Sequence, residues 1–312
     1  MTGTGRFRRR AVLSAIVVPL SGAVGRATAT PAATPDAEPG ADRARVLFVG
    51  DMFFDRFIRQ KSERLGPDFP FLCIDPLLHS ADLVVGNLEG PITDNRSVSV
   101  GTIPGSPNNY RFTFPIQTAA ALLRHNVKAV SLGNNHILNF GRDGLEQTRR
   151  ALDAAGVGHF GGVAGSEPVC RIDLNGVKLS FVAYNQFGGS APQDVADVVA
   201  RERAEQRVVV VFPHWGIEYS TDTRGIEPAA ALFARSGAVA VIGAHPHVVG
   251  VRAKIGDTVV FYSLGNFIFD QYSSAQVMHG LAVMLTFSGN DVADVLEYPT
   301  RLALNGQTCP TK

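Results

Sequence analysis

Val127-Lys128-Ala129-Val130-Ser131-Leu132-Gly133-Asn134-Asn135-His136 changes character within a few residues. Val127, Ala129, Val130 and Leu132 read as a short buried strand. Gly133, two amides and an imidazole follow, and beyond Gly141 the pattern turns helical. Strand, polar turn and helix in succession is how open α/β sheets present functional groups, at the carboxyl ends of their strands. Asn134, Asn135 and His136 form a turn suited to ligating a hard or borderline metal and moving a proton.

Working outward, four more strands end in the same manner. They are Val49-Gly50-Asp51, Gly86-Asn87-Leu88-Glu89, Pro213-His214-Trp215-Gly216 and Gly243-Ala244-His245-Pro246-His247. A sixth polar turn, Ser263-Leu264-Gly265-Asn266, closes a later strand. Between these strands lie helical segments, of which Arg142 to Ala155 is the clearest, with Leu145, Thr148, Leu152 and Ala155 on one face. A helical segment is also expected from Met52 to Gln60. Asn175-Gly176 between two alternating runs marks a hairpin. Arg207 to Phe212 is a near-continuous β-branched run, expected to be a buried strand. Residues 281 to 297 read as a closing hairpin. The fold class is therefore α/β, with a mixed sheet or two packed sheets and helices outside.

The chain has 312 residues, 45% hydrophobic and 18% charged, with net charge +1. That composition is globular and long enough for a large domain. Near-neutral charge gives no case for a nucleic-acid partner, which calls for a basic patch or stripe. Arg8-Arg9-Arg10, the apolar segment from Ala11 to Val24 and Ala27-Thr28-Ala29 follow the order of a secretory signal peptide, placed at residues 1–29. Arg9-Arg10-Ala11-Val12-Leu13 matches a twin-arginine signal, so export machinery is an expected partner and a site beyond the cytoplasmic membrane the expected location. A retained membrane anchor is the alternative. Residues 30–44, rich in Pro, Ala, Asp and Gly, read as a disordered linker. Residues 45–304 form the expected domain and 305–312 a tail. Cys73, Cys170 and Cys309 have no C-x-x-C spacing; they allow one disulfide with one free thiol, or none. Cys73 and Cys170 read as small buried residues.

Each cluster has a chemical and a structural reading. His245 and His247 form an H-x-H pair that can aim both imidazoles at one ion, and imidazole suits zinc, iron and manganese. They could equally cap a turn. His214 is a ligand or a hydrogen-bonded core histidine. Asp51 and Glu89 are carboxylates able to bridge two cations; otherwise Asp51 is a helix N-cap and Glu89 a solvated charge. Arg56 could grip a carboxylate or phosphate oxygen with its planar fork, or form a salt bridge. The loop from 91 to 115 is long enough to have a functional role, and Tyr110, Arg111 and Phe112 could line a groove.

Taken together and in this order, the clusters resemble the CapA family of poly-γ-glutamate capsule biosynthesis proteins, within the calcineurin-like metallophosphoesterases. Tyr262-Ser263-Leu264-Gly265-Asn266-Phe267-Ile268-Phe269-Asp270-Gln271 adds to the resemblance, which spans Arg45 to Gln271. It implies a four-layer α/β/β/α sandwich with a divalent metal centre of up to two ions, manganese, iron or zinc. By position, Asp51, His245 and His247 match metal ligands, with Asn135 and His214 on the second ion. The superfamily has Gly-Asp where this chain has Gly86-Asn87, so either Glu89 bridges or Asn87 takes that place. It also has Asp-x-His where this chain has Asp51-Met52-Phe53. His136 is expected to protonate the leaving group, with Asn266 and Asp270 orienting ligand histidines or closing a turn. The implied role is a metal-dependent hydrolase acting on an anionic cell-envelope polymer such as poly-γ-glutamate. The alternative is a non-catalytic polymer-binding factor that relies on Arg96 and Arg111.

Overall fold

The computed structural model describes residues 42–311. The expected signal peptide and all but the last three residues of the expected linker lie outside the described residues. Among the described residues no helix is long and apolar enough to cross a membrane.

The chain runs β1 (Arg43–Met52), α1 (Arg56–Leu65), α2 (Asp75–Leu78), β2 (Leu83–Leu88), α3 (Gln117–Arg124), β3 (Val127–Ser131), α4 (Gly141–Ala155) and β4 (Gly158–Phe160). It continues through β5 (Val169–Leu174), β6 (Val177–Asn185), α5 (Pro192–Ala204), β7 (Val208–His214), α6 (Glu227–Arg235), β8 (Ala240–Ile242), β9 (Arg252–Ile255) and β10 (Thr258–Phe261). Last come β11 (Asn266–Ile268), α7 (Ala275–Met278), β12 (His279–Ser288), β13 (Asp291–Leu302) and β14 (Thr308–Pro310). The fold is mixed α/β with two sheets and several helices, as expected.

One sheet has the order β14-β13-β12-β1-β2-β3-β4, with β11 also paired to β1; the other has the order β5-β6-β7-β8-β10-β9. β1 to β4 are parallel neighbours, as are β6, β7, β8 and β10. Successive side chains of a strand point to opposite faces, and both faces of β1 are buried. Val46 and Phe48 join Leu179, Phe181, Val210 and Phe212 of the second sheet in a shared core. Leu47 and Val49 face a different core, with Ile58 of α1, Leu122 of α3 and Leu145 and Leu152 of α4. β7 divides in the same way: Val209 and Val211 pack on Val199 of α5 and Phe233 of α6. The continuous apolar runs read from the sequence are thus strands with two buried faces.

Four boundaries differ from expectation. β1 begins at Arg43, inside the expected linker, because its ladder with β12 reaches Ser288. It also runs on through Met52, so helix α1 starts four residues later than expected. The α1 N-cap is Asp55, whose side chain accepts from Arg56 N–H, and not Asp51, which lies in register with Asn87 and Asn266. The expected tail supplies β14, antiparallel to β13. Within it, Cys309 forms a disulfide with Cys73 across a sequence separation of 236 residues. Cys73 is thus bridged, and the half-buried Cys170 is free. The pairing was not legible because the two residues meet only when β14 folds back on the sheet.

Gly50 shows how tightly the strand ends converge. A Cβ there would lie 1.9 Å from the Gly265 carbonyl oxygen, and neither backbone has a flexible end to yield. Gly50→Ala is expected to destabilise the protein at the upper end of the ~1–3 kcal/mol typical of overpacking. Denaturant unfolding checks this; an unchanged midpoint would mean that the two turns are free to separate.

Candidate metal centre

The carboxyl ends of β1, β2, β3, β7 and β8, drawn from both sheets, meet at one place. Asp51 ends β1, Glu89 follows β2, Asn135 and His136 follow β3, His214 ends β7, and His245 and His247 follow β8. Asp51, Asn87, Glu89, His214, His245 and His247 are all buried, whereas Asn135 is exposed and His136 half-buried.

The donors fall into two groups that share one carboxylate. Asp51, Glu89 and His247 form one, and Glu89, His214 and His245 the other; within each, one donor atom per residue lies within 4.8 Å of the rest. Glu89 is 0% exposed, and neither of its carboxyl oxygens has a hydrogen-bond partner among the described residues. A buried unpaired carboxyl is costly, and both oxygens are available to cations. Three imidazole groups and two carboxylates are a donor set suited to manganese, iron or zinc. On these observations the residues fit a divalent metal centre.

Neighbouring amides set which ring nitrogen each histidine offers. Asn266 Nδ2 donates to the Val277 carbonyl (2.9 Å), which turns its Oδ1 toward His247 Nδ1, 3.0 Å away. His247 therefore carries its proton on Nδ1. That leaves Nε2 bare, 3.6 Å from Glu89 Oε1, the arrangement in which an outer partner orients a ligating imidazole. Asn266 thus has the expected position beside a histidine. Asp270 does not: it accepts from Arg56 instead.

A second relay runs through Asn134. Its Nδ2 donates to the Leu88 carbonyl (2.8 Å) and its Oδ1 accepts from His136 N–H (3.1 Å). The same Nδ2 reaches Asn87 Oδ1 at 3.2 Å. Asn87 must then turn its NH2 inward, to Asp51 Oδ1 at 2.8 Å and His214 Nδ1 at 3.2 Å. His214 accepts there, so its neutral ring holds the proton on Nε2, 3.0 Å from Asn135 Oδ1 and 3.1 Å from His245 Nδ1. Asn87 therefore acts as a donor to Asp51 and His214, and Glu89 is the carboxylate common to both groups.

Burial and crowding fix the charge states. Burial raises the Asp51 carboxyl, but the hydrogen bond and charge of His247, with His214 and Asn87, outweigh it and hold the group below the usual carboxylate range. Glu89 is pushed well up, first by burial and then by the charge of Asp51. His214 is pushed well down by burial and by His245. His245 falls to about 4 through burial and the charge of His247. Both His245 (φ 101°) and His247 (φ 58°) have left-handed backbone. Side-chain-bearing residues rarely adopt it, and such strain concentrates at functional sites.

His136 stands beside the cluster, its ring 4.2 Å from that of Phe112. Burial lowers its pKa to about 4, with the charges of His247 and His245 adding to the shift. It is therefore neutral at pH 7. Asn139 Oδ1 accepts from Phe112 N–H (2.7 Å) and faces His136 Nδ1 at 3.2 Å. The proton thus sits on Nδ1, and Nε2 is a bare acceptor. A ring resting in this neutral state must first take up a proton before it can protonate a leaving group, the role the resemblance implies for it. Arg56 is not free either. Its fork holds both Asp270 oxygens and Asn109, and its guanidinium lies 4.6 Å over Phe53. It lies outside the donor cluster, with its donors already in use.

Sequence reasoning left out Phe187 and Tyr219, and took Asn134 only as part of a ligating turn. The Phe187 ring is 4.4 Å from that of His245, and the Tyr219 ring 5.9 Å from that of His247. Asn134 stood in the quoted stretch, but its role as a bracket depends on partners outside it. Phe187 and Tyr219 lie beyond the strand-end motifs and gave no signal.

The model of the family described as Bacterial capsule synthesis protein PGA_cap matches residues 45–271. The chain is 26% identical over 244 residues to the PGA biosynthesis protein CapA of Bacillus subtilis (strain 168), covering 72% of this chain and 63% of that protein. It is 26% identical over 254 residues to the capsule biosynthesis protein CapA of Bacillus anthracis, covering 74% and 61%. The matched region spans about three-fifths of the length of these curated relatives. All six strand-end motifs fall inside the family match, and the chain belongs to the CapA family of bacterial capsule synthesis proteins.

Proposed function

We propose that this protein is an exported, metal-dependent hydrolase that processes a capsule or other cell-envelope polymer, with poly-γ-glutamate the first substrate to test. The observation that carries the proposal is Glu89, a buried carboxylate without a hydrogen-bond partner, shared between two ligand groups. The inter-sheet core, with helices packed on the outer face of each sheet, supports the four-layer α/β/β/α sandwich of metallophosphoesterases. Export is supported by the N-terminal signal pattern and by the Cys73–Cys309 disulfide, a bond that persists in oxidising compartments.

Asp51, Glu89 and His247 would hold one ion, and Glu89, His214 and His245 a second, with Asn135 beside His214. A divalent ion bound there supplies Lewis-acid polarisation of the scissile group and a water acidified toward neutral pH. His136 Nε2 accepts a proton, as a neutral imidazole can at pH 7. Asn139 keeps that ring in the accepting tautomer, and Asn266 does the same for His247.

One observation favours the second reading, a non-catalytic polymer-binding factor. Phe53 stands where the superfamily pattern has a histidine, and it is fully buried against Phe269. The test begins with protein starting at Thr30, purified without chelator or nickel. About one to two equivalents of manganese, iron or zinc are expected, together with release of fragments from poly-γ-glutamate or a phosphoester. His245→Ala should lose both. Protein that takes up neither manganese nor zinc overturns the hydrolase reading in favour of polymer binding, and full activity in His245→Ala excludes this centre.

A further inference from the structure

Beside the centre lies a cleft of about 470 Å³, within the range of small-molecule sites. Arg56, Tyr110, Tyr219, Asp270, Gln271 and Tyr272 are among its walls. It adjoins the centre at two points. Gln271 Nε2 donates to the Tyr219 hydroxyl (3.2 Å), and Gln271 Oε1 accepts from Asn266, the residue that orients His247. On the other side Arg56 lies 5.1 Å from the ring of Phe112, which packs on His136.

The chemistry of the cleft is unlike that expected for a polyanion. Among the described residues Arg56 and Asp270 are the only charged ones in its lining, and they neutralise each other. The remaining side-chain hydrogen bonds of Arg56 go to Asn109. A carboxylate or phosphate entering the cleft would lose water, find no free cation and approach Asp270, an arrangement that leaves a buried charge uncompensated. Two aromatic rings, by contrast, are unusually open: Tyr110 is 50% exposed and Tyr219 55%. Around them stand amide and hydroxyl groups, including a buried Tyr272 hydroxyl without a hydrogen-bond partner among the described residues. Flat aromatic faces bordered by neutral donors and acceptors match a ring with an apolar C–H face and a polar edge. Such a ligand can bury its face on tyrosine while its hydroxyls remain hydrogen-bonded.

We infer that this cleft binds an uncharged, hydroxyl- and amide-bearing sugar segment of a cell-envelope polymer, stacked on Tyr110 and Tyr219. The inference rests on the adjoining centre being the reacting site, and it favours a sugar-bearing cell-envelope polymer over poly-γ-glutamate as what reacts there.

Isothermal titration with an N-acetylglucosamine tetramer and, separately, with poly-γ-glutamate tests it. The tetramer should bind. Tyr110→Ala and Tyr219→Ala should each weaken binding by about tenfold, the worth of one aromatic face. Tyr110→Phe, which keeps the face, should bind within a few-fold of wild type, and the metal content of Tyr110→Ala should be unchanged. No tetramer binding by folded protein overturns the proposal, as does binding undiminished in both alanine variants. So does poly-γ-glutamate binding that is lost in Tyr110→Ala. Tetramer binding by protein that takes up no metal would leave the cleft standing and sink the hydrolase reading. A metal-loaded, active protein indifferent to the tetramer would do the reverse.

Discussion

Glu89→Gln is expected to empty the metal centre without unfolding the protein. The substitution keeps the shape of the side chain and removes the one carboxylate that both donor groups share. In wild type, a metal at about a thousandfold its Kd should stabilise the fold by roughly 4 kcal/mol. The variant should lose that gain and retain less than stoichiometric metal. The metal-free proteins should rank the other way. Glu89 is fully buried without a hydrogen-bond partner, and leaving such a group unsatisfied costs about 1–3 kcal/mol. The metal-free variant should therefore melt no lower than metal-free wild type.

The pH dependence gives a second readout. The folded pKa of Glu89 is raised, so the folded state binds more protons than the unfolded state above the unfolded carboxylate pKa of about 4.3. Stability of the metal-free protein should then fall as pH rises from there toward neutrality. Glu89→Gln should lack that component. For the same reason, metal binding to wild type should release a proton and tighten with pH. Thermal melts with and without manganese at several pH values decide the matter. An undiminished metal-induced shift in the variant would remove Glu89 from the centre.

Asn87→Asp should act in the opposite sense on metal. The Asn134 relay turns the Asn87 NH2 toward Asp51 and His214 Nδ1. This leaves the His214 proton on Nε2, the atom facing Asn135 and His245. For Nε2 to ligate an ion, the ring must give up that proton, and Asn87 offers Nδ1 no acceptor in exchange. Aspartate supplies both an acceptor and a negative charge. Metal affinity should rise by about 10–100-fold, the usual scale for partners that orient a ligand. The metal-free variant should be less stable by about 3–5 kcal/mol, because it brings an uncompensated carboxylate to within hydrogen-bonding distance of Asp51. Competition with a metal-sensitive chelator, alongside melts of the metal-free protein, measures both effects. Unchanged affinity would show that Asn87 does not limit binding by His214.

Much of the scaffold was legible in the chain. The runs read as strands at 45–50, 81–86, 127–132 and 207–212 match β1, β2, β3 and β7 to within about two residues at each end, and the spacing of Leu145, Thr148 and Leu152 marked α4. These are local properties: an apolar run or a repeat in one segment carries its own period. The ends of elements were less legible. Met52 reads as the start of a helix, but pairing with Ile268, far along the chain, keeps it in β1. Asp55, rather than Asp51, caps α1 because the strand continues.

By itself the sequence determined which residue types stand at the strand ends and in what order, and hence the family. Only the tertiary structure decided what each of those residues contacts. It joined Cys73 to Cys309, paired Arg56 with Asp270, and set the His136 ring against Asn139. It also made Glu89 the shared carboxylate and Asn87 an inward-facing donor. The physical reason is that ligation, tautomer and charge state depend on what lies within about 3 Å of a side chain. At this centre those neighbours come from both sheets, with sequence separations as large as that between Asp51 and His245.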